Sequence, residues 1–187
     1  KPLSRAVADG DHIHAVIRAT SINHGGRSNG YTVPNPVAHS ELIREALERA
    51  GVSARAVSYV EAHGTGTELG DPIEISGLTQ AFARDTADTQ FCAIGSAKSS
   101  IGHLEAAAGI AGLTKVVLQM RHQQLVPSLH AEELNPNIAF ARTPFLVQRD
   151  LGPWIRPTLD SAGEQPRLAC VSSFGAGGAN AHLLLEE

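Results

Sequence analysis

The sequence predicts an α/β fold in which a mixed sheet is covered largely by helices. Short apolar strands alternate with helical patterns along its 187 residues, and two strands run into glycine-containing loops that each carry a histidine. This length is enough for one domain with a sizeable core. We therefore treat residues 1–187 as one domain.

The composition argues against several functional classes. Lys and Arg number 15 and Asp and Glu number 19, so a formal charge of −4 offers no basic surface for nucleic acid. No apolar run reaches the ~20 residues of a membrane-spanning helix, and no signal peptide opens the chain. Two cysteines indicate a reducing compartment without a disulfide framework. We expect a soluble, cytoplasmic protein.

The first third of the chain is predicted to hold a strand, a loop, a helix and a second strand. The first strand is predicted over residues 12–20, and its two histidines predict a solvated face rather than a metal site, because no third ligand is near. Asn35 and Pro36 are typical of a helix start, and Gly51 is typical of a helix end. The second strand is predicted over residues 56–60. The apolar stripe of the helix consists of Leu42, Ile43, Ala46, Leu47 and Ala50.

The second strand runs into a dense segment, 60–74, with the sequence Val-Glu-Ala-His-Gly-Thr-Gly-Thr-Glu-Leu-Gly-Asp-Pro-Ile-Glu. Asp71, Pro72 and Glu74 predict an N-cap, a first helical residue and a variant capping box for a helix that reaches about residue 84. His63 thereby lies just beyond the carboxyl end of a strand, where α/β sheets place their chemistry. The alternative is a structural, hydrogen-bonded histidine.

A predicted strand over residues 91–96 leads into a second dense segment, 98–109, with the sequence Lys-Ser-Ser-Ile-Gly-His-Leu-Glu-Ala-Ala-Ala-Gly. His103 precedes a helix predicted over residues 104–122, and the positive end of a helix dipole favours a neutral imidazole there. Two neutral imidazoles that converge on one point would form an oxyanion hole for an enolate or a tetrahedral oxygen.

Three further residues of this region carry predictions of their own. Lys98 would supply positive charge to the histidines, pair with Glu74 or Glu105, or remain a solvated loop lysine. Two glycines of the helix, at positions 109 and 112, predict close packing against a neighbouring element.

The remaining chain is predicted to hold a short strand over 145–148, a polar loop over 153–166, and two strands over 167–174 and 179–187. The last two strands are joined by the loop 175–178, Gly-Ala-Gly-Gly. Glycines here and after the first histidine suggest nucleotide binding. However, the first loop lacks the G-x-G-x-x-G spacing and a Walker lysine, and the second precedes a strand instead of a helix.

Three motifs, in order, resemble one known family. The segment 60–74 resembles the first histidine motif of β-ketoacyl synthases, and 98–109 resembles their lysine–histidine motif. The segment 172–182, Ser-Ser-Phe-Gly-Ala-Gly-Gly-Ala-Asn-Ala-His, is similar to their C-terminal glycine loop. The segment 25–34, Gly-Gly-Arg-Ser-Asn-Gly-Tyr-Thr-Val-Pro, further resembles ketosynthase domains of modular type I polyketide synthases. Together with the residues of the glycine loop, the 25–34 segment indicates a polyketide assembly line that is served by a separate acyltransferase.

This resemblance implies a thiolase-like fold, an αβαβα sandwich of two related halves, of which residues 1–187 correspond to the C-terminal half. It implies a decarboxylative Claisen condensation between a cysteine-bound acyl group and malonyl units on the phosphopantetheine arm of acyl carrier protein. It implies no directly bound cofactor and no metal. The implied partners are the N-terminal half of the ketosynthase, acyl carrier protein, and a second copy of the complete domain in a homodimer.

The resemblance also implies roles for individual positions. His63 and His103 serve decarboxylation and condensation, and Lys98 supports the second histidine. The threonines after the first histidine meet the pantetheine arm, and the phenylalanine of the glycine loop gates the acyl pocket. The implied substrate-contacting positions are Thr65, Thr67, Phe174, Gly175, Gly177 and Gly178, and the supporting ones are Glu74 and Asn180.

The family's nucleophilic cysteine is missing from this sequence, which has no elbow of the Thr-Ala-Cys-Ser-Ser type. Cys92 and Cys170 lie in predicted strands, where buried and inert thiols are expected. Met120 is the only methionine, so we expect a piece of a larger protein that is active only with its N-terminal half. Such a piece should expose an apolar face of the 104–122 helix. The alternatives are a non-elongating ketosynthase-like module, serving as an acyl gate or docking scaffold, and, remotely, a nucleotide-binding domain.

Overall fold

The computed structural model describes residues 1–26, 30, 33–160 and 162–187. Much of the 25–34 segment, which carries part of the resemblance, therefore lies outside the described residues. Within the described ranges, the helices are Leu3–Ala8 (α1), Pro36–Ala50 (α2), Gly70–Phe82 (α3), Lys98–Ile101 (α4) and Ala108–His122 (α5). Short 3-10 helices cover Ala54–Ala56, Glu105–Ala107 and Phe140–Arg142.

The strands of the described residues form one larger sheet and two small ones. They are Val16–His24 (β1), Tyr59–Glu61 (β2), Cys92–Gly95 (β3), Gln124–Leu125 (β4), Phe145–Val147 (β5), Gly152–Pro153 (β6), Thr158–Leu159 (β7), Gly163–Glu164 (β8), Leu168–Phe174 (β9) and Ala179–Glu186 (β10). The larger sheet has the order β1-β10-β9-β2-β3-β5. Strands β1, β10 and β9 pair antiparallel, whereas β9, β2, β3 and β5 are parallel neighbours. The sheet is mixed, which confirms the prediction.

Helices cover both faces of this sheet, because apolar side chains alternate along its central strands. Val60 and Cys170 pack with α2 and α3 in one hydrophobic cluster. Their neighbours Tyr59 and Val171 pack with α5 and Trp154 in a second cluster on the other face. The predicted polar loop over residues 153–166 was an oversimplification, since it contains three short strands and the almost fully buried Trp154.

Helix α2 follows the sequence prediction closely. The Asn35 side chain accepts hydrogen bonds from the backbone N–H groups of Val37 and Ala38, and Gly51 ends the helix in a left-handed conformation with φ 64°. All five residues of the predicted apolar stripe are buried.

Helix α3 differs from its prediction. It begins at Gly70, whose N–H is accepted by the Thr67 hydroxyl at 3.0 Å, and Asp71 accepts the Gly66 N–H at 3.1 Å. The predicted N-cap at Asp71 and capping box at Glu74 are therefore wrong. The glycine loop folds back on the start of the helix. Backbone N–H groups of this loop therefore donate to Asp71 and Glu74, the side chains that would otherwise have capped the helix.

Three other elements also have boundaries that differ from the predictions. Strand β1 begins at Val16 instead of residue 12 and continues to His24, and β2 begins at Tyr59 after a 3-10 turn. The predicted 104–122 helix is interrupted, because Glu105 adopts φ 49° and donates its N–H to the His103 ring. A 3-10 turn follows before α5 starts at Ala108.

Helix α5 buries one face and leaves another exposed. Close packing at its glycines is confirmed: a Cβ at Gly112 would lie 3.0 Å from the Glu61 side chain, and one at Gly109 would lie 3.2 Å from the Ser173 hydroxyl. On the outer side of this region, Leu104, Ile110 and Leu118 are 43, 59 and 46% exposed in the described part of the chain. The predicted exposed apolar face is therefore present. No described helix is long and apolar enough to cross a membrane.

Candidate active site

The two histidine motifs meet at one edge of the sheet. Strands β2 and β3 are parallel neighbours, so their carboxyl ends deliver the following loops to the same place. The rings of His63 and His103 lie 5.5 Å apart between centroids, with their planes at 78°. The structure therefore brings together two residues that are separated by 40 positions in the sequence.

Backbone hydrogen bonds determine which nitrogen of each ring carries the proton. The Nδ1 atom of His63 accepts the N–H of Phe174 at 3.3 Å, and Nδ1 of His103 accepts the N–H of Glu105 at 2.9 Å. A neutral imidazole that accepts at Nδ1 carries its proton at Nε2. Each ring thus has an Nε2–H group available as a donor.

The electrostatic surroundings keep the first histidine neutral. Burial, and after it the charge of Lys98 and the nearby rings of His103 and His39, lower the pKa of His63 to about 4. At neutral pH the His63 ring is therefore an uncharged hydrogen-bond donor.

Glu74 holds the backbone of the first histidine loop. Its carboxylate accepts the N–H of His63 at 2.7 Å and that of Gly64 at 2.9 Å, and the side chain is buried. Burial raises the pKa of Glu74 to about 7, although the two backbone N–H groups favour the charged form. Glu74 thus binds the backbone of the loop and does not cap the helix.

Lys98 hydrogen-bonds to the first histidine, and no hydrogen bond joins it to the second in the part of the chain that the structure describes. From the start of α4, its ammonium donates to the carbonyl oxygen of His63 at 2.5 Å. Burial lowers the pKa of Lys98, while the charges of Glu74 and Glu61 act in the opposite direction. No ion pair joins Lys98 to Glu74 or Glu105 among the described residues, so the predicted pairing is not found there.

A cavity of about 360 Å³ lies beside the two histidines. Every predicted site residue except Lys98 lines it: His63, Thr65, Thr67, Glu74, His103, Phe174, Gly175, Gly177, Gly178 and Asn180. A second cavity of about 540 Å³ shares His63, His103 and Phe174 with the first. The catalytic candidates and Phe174 therefore border both spaces.

Sequence reasoning did not single out two buried residues near this site. His39 of α2 is 2% exposed and stacks on Phe174, and the signal that could have revealed it is its place on the buried stripe of α2. The carboxylate of Glu61 binds the Lys115 ammonium and the Tyr59 hydroxyl, each at 2.8 Å, and accepts the N–H of Ala97 at 2.6 Å. No local pattern pairs Glu61 with a lysine 54 residues away.

The structure agrees with the interpretation of the cysteines and argues against a dinucleotide fingerprint in the 175–178 loop. Cys92 and Cys170 are buried in β3 and β9, and burial raises the pKa of each thiol above its usual range. The 175–178 loop joins two antiparallel strands, so it lacks the strand–loop–helix context that a dinucleotide fingerprint requires.

Comparison with known proteins identifies the family. The chain matches the family model for the C-terminal domain of β-ketoacyl synthases over residues 14–132, which is more than half of its length. The chain belongs to the β-ketoacyl synthase family. The resemblance inferred from the three motifs is thereby confirmed.

Polyketide synthases are among its similar relatives. Polyketide synthase PksM of Bacillus subtilis (strain 168) is 64% identical over 187 residues, and polyketide synthase ThaG of Burkholderia thailandensis is 64% identical over 188 residues. All of this chain is covered in both comparisons, but it spans only 4% and 3% of those proteins.

Solved ketosynthases share its fold. An oxazolomycin ketosynthase domain of Streptomyces albus is 56% identical with a TM-score of 0.96. The ketosynthase from module 6 of the bacillaene synthase of Bacillus subtilis 168 is 47% identical with a TM-score of 0.93. Both alignments include all 187 residues of this chain, which correspond to 32% of the first ketosynthase chain and 33% of the second. The thiolase-like fold is thereby confirmed for the C-terminal part of a ketosynthase.

Proposed function

We propose that this chain is the histidine-bearing part of a polyketide ketosynthase that catalyses decarboxylative Claisen condensation. The observation that carries the proposal is the convergence of His63 and His103, each with Nδ1 occupied by a backbone N–H. Two Nε2–H donors near one point suit the negative oxygen of an enolate. A neutral ring at His63 serves as a donor without taking up a proton at physiological pH.

The reaction proceeds in two steps at these donors. In the first, the bond between the malonyl α-carbon and its carboxylate breaks, CO₂ leaves, and the electron pair becomes an enolate that the imidazoles of His63 and His103 stabilise. In the second, the α-carbon attacks the carbonyl carbon of the cysteine-bound acyl group. A carbon–carbon bond forms, the carbon–sulfur bond breaks, and the thiolate leaves. Because CO₂ loss generates the carbanion, no strong base is required.

The remaining components are supplied from outside this chain. Both of its cysteines are buried in strands, so the nucleophile comes from the N-terminal half of the ketosynthase. That half covers the exposed face beside Leu104 and Ile110, and residues 1–187 form the C-terminal half of the completed domain. The complete domain acts as a cytoplasmic homodimer, and its parent is a modular synthase served by a separate acyltransferase.

Acyl carrier protein delivers the substrates on its phosphopantetheine arm. The arm would enter along Thr65, Thr67 and the glycines of the 175–178 loop, which together line one side of the cavity of about 360 Å³. Phe174, at the beginning of that loop, borders the acyl group, and Asn180, at its end, supports the loop from β10.

The test uses the intact ketosynthase with an acyl thioester and malonyl-acyl carrier protein. Intact mass spectrometry reports acylation of the cysteine, and product analysis reports condensation. His63→Ala and His103→Ala should each retain acylation and slow condensation about 10²–10³-fold, since each removes one oxyanion donor. Glu68→Gln, an exposed change in the same loop, is the control.

Two outcomes would contradict the proposal. If either alanine variant condenses at the wild-type rate, the paired imidazoles are not the oxyanion donors. If the wild type is acylated but never extends its acyl group, the chain belongs to a non-elongating module that serves as an acyl gate.

A further inference from the structure

The ring of Phe174 rests on a buried histidine from a different part of the fold. His39 projects from α2, and its ring stacks on Phe174 with centroids 3.8 Å apart and planes 16° apart. The opposite neighbour of Phe174 is His63, at 5.5 Å between centroids. Phe174 is thus held between the α2 histidine and a catalytic candidate.

His39 is itself fixed in place by the elements packed around it. The Asn180 side chain lies beside it on the wall of the same cavity, and the Asn180 amide donates to the Asn23 side chain at 3.0 Å. Helix α3 packs directly behind it, since a Cβ at Gly77 would lie 2.8 Å from the His39 Cβ. His39 therefore stacks on Phe174 at the start of the 175–178 loop and lies near Asn180 at its end.

An imidazole in this position is not explained by stability. The His39 Nδ1 atom is buried and has no hydrogen-bond partner among the described residues. A buried polar group without a partner is unfavourable, so an apolar ring of similar size would pack there with less penalty. What the imidazole supplies at this position is a flat ring that stacks on Phe174.

From these contacts we propose that His39 is a positioning residue that holds the Phe174 ring and thereby limits the size of the acyl group. Phe174 borders both the cavity of about 360 Å³ and the cavity of about 540 Å³, so a shift of its ring changes the room in both spaces. Without the His39 ring, Phe174 can swing towards α2 and let a larger acyl chain pass. The proposal rests on the proposed ketosynthase function, in which Phe174 borders the acyl group.

The first experiment measures the Phe174 ring without any turnover. The intact ketosynthase carries 4-fluorophenylalanine at position 174, and ¹⁹F NMR is recorded for wild type, His39→Ala, His39→Gln and His39→Phe. Loss of the stacked imidazole should move the resonance downfield and narrow it in the Ala and Gln variants. His39→Phe should restore a stacked, broadened signal.

The second experiment measures acyl selectivity in the same variants without the fluorine label. The rate of cysteine acylation is compared for a branched, bulky acyl thioester and for an acetyl thioester. His39→Ala and His39→Gln should raise the bulky-to-acetyl ratio about tenfold, the factor that an aromatic stack of this kind contributes. His39→Phe should return the ratio to that of wild type.

A matched control separates positioning from general loosening of the core. His182 is another buried histidine with an unpartnered ring nitrogen in the described part of the chain; it lies near His39, but its ring hydrogen-bonds to Ser172 and, among the described residues, does not stack on Phe174. His182→Gln should lower stability without changing the ¹⁹F signal or the selectivity ratio.

The outcomes separate this inference from the proposed function. An unchanged ¹⁹F signal in His39→Ala and His39→Gln, or an unchanged ratio in an active enzyme, overturns the inference. The same holds if His182→Gln shifts the ratio as strongly. If wild type and variants all fail to acylate, the proposed function fails, while the ¹⁹F result still decides whether His39 holds Phe174.

Discussion

The buried ion pair between Glu61 and Lys115 gives the sharpest stability prediction. Their side chains are 3% and 13% exposed, and the Lys115 ammonium lies 2.8 Å from both the Glu61 carboxylate and the Tyr59 hydroxyl. The other Glu61 oxygen accepts the N–H of Ala97, one residue before Lys98. Replacing Lys115 with methionine keeps the apolar stem but removes the charge.

The magnitude follows from the burial of the remaining partner. Lys115→Met leaves the Glu61 carboxylate without its cation in a nearly dry site, and breaking a buried pair in this way costs about 3–5 kcal/mol. The double variant, Lys115→Met with Glu61→Gln, no longer has an isolated charge and should recover most of the lost unfolding free energy. An exposed pair offers the control: Arg44→Met, which breaks the pair with Glu48 on the surface of α2, should cost about 0.5 kcal/mol or less.

The assay is urea unfolding of the intact ketosynthase for the wild type, both single variants, the double variant and the surface control. The double-mutant cycle gives the coupling between Glu61 and Lys115. The reasoning is refuted if Lys115→Met is no more destabilising than Arg44→Met. It is equally refuted if the double variant is less stable than Lys115→Met alone, because the isolated carboxylate would then not be the source of the loss.

Three further predictions concern titration, packing and thiol reactivity. Burial lowers the pKa of His182 to about 3, so the unfolded chain binds the extra proton and stability falls as pH drops from about 6.5 towards that value. In urea unfolding, His182→Gln should reduce the slope of the unfolding free energy against pH by about 1.4 kcal/mol per pH unit in this range. Equal slopes for the variant and the wild type would contradict the prediction. Gly77→Ala places a Cβ 2.8 Å from a side-chain atom of α2 and should cost about 1–3 kcal/mol, whereas the exposed neighbour Ser76→Ala should cost little in thermal unfolding. Iodoacetamide should modify Cys92 and Cys170 only after denaturation, and peptide mass spectrometry that finds either of these two residues labelled in the native protein would refute their burial.

The sequence predicted helix α2 well because the signals that define it are local. Asn35, Pro36 and Gly51 act on backbone groups within a few residues, and the apolar stripe repeats with the helical period. The glycines at positions 109 and 112 were also informative, since a missing side chain within a helix indicates a close neighbour whichever element that neighbour is.

Local signals failed where groups distant in the sequence competed for the same side chain. Glu74 has the spacing of a capping box, but its carboxylate binds the N–H groups of His63 and Gly64. Sequence spacing offered Glu74 or Glu105 as a partner for Lys98, but its ammonium donates to the carbonyl oxygen of His63. In both cases the folded loop offers a nearer or more strongly bound partner than the one that sequence spacing indicates.

The sequence by itself determined the chemistry available to this protein: two histidines after strands, a glycine loop, and no nucleophilic cysteine elbow. The residues of the motifs were sufficient to predict this chemistry, because the reaction and the tight loops each require particular residue types. Only the tertiary structure decided the arrangement, in which parallel β2 and β3 bring His63 and His103 to 5.5 Å and α2 places His39 under Phe174. Such contacts join residues far apart in the chain, so strand pairing and helix packing determine them, and no local pattern records them.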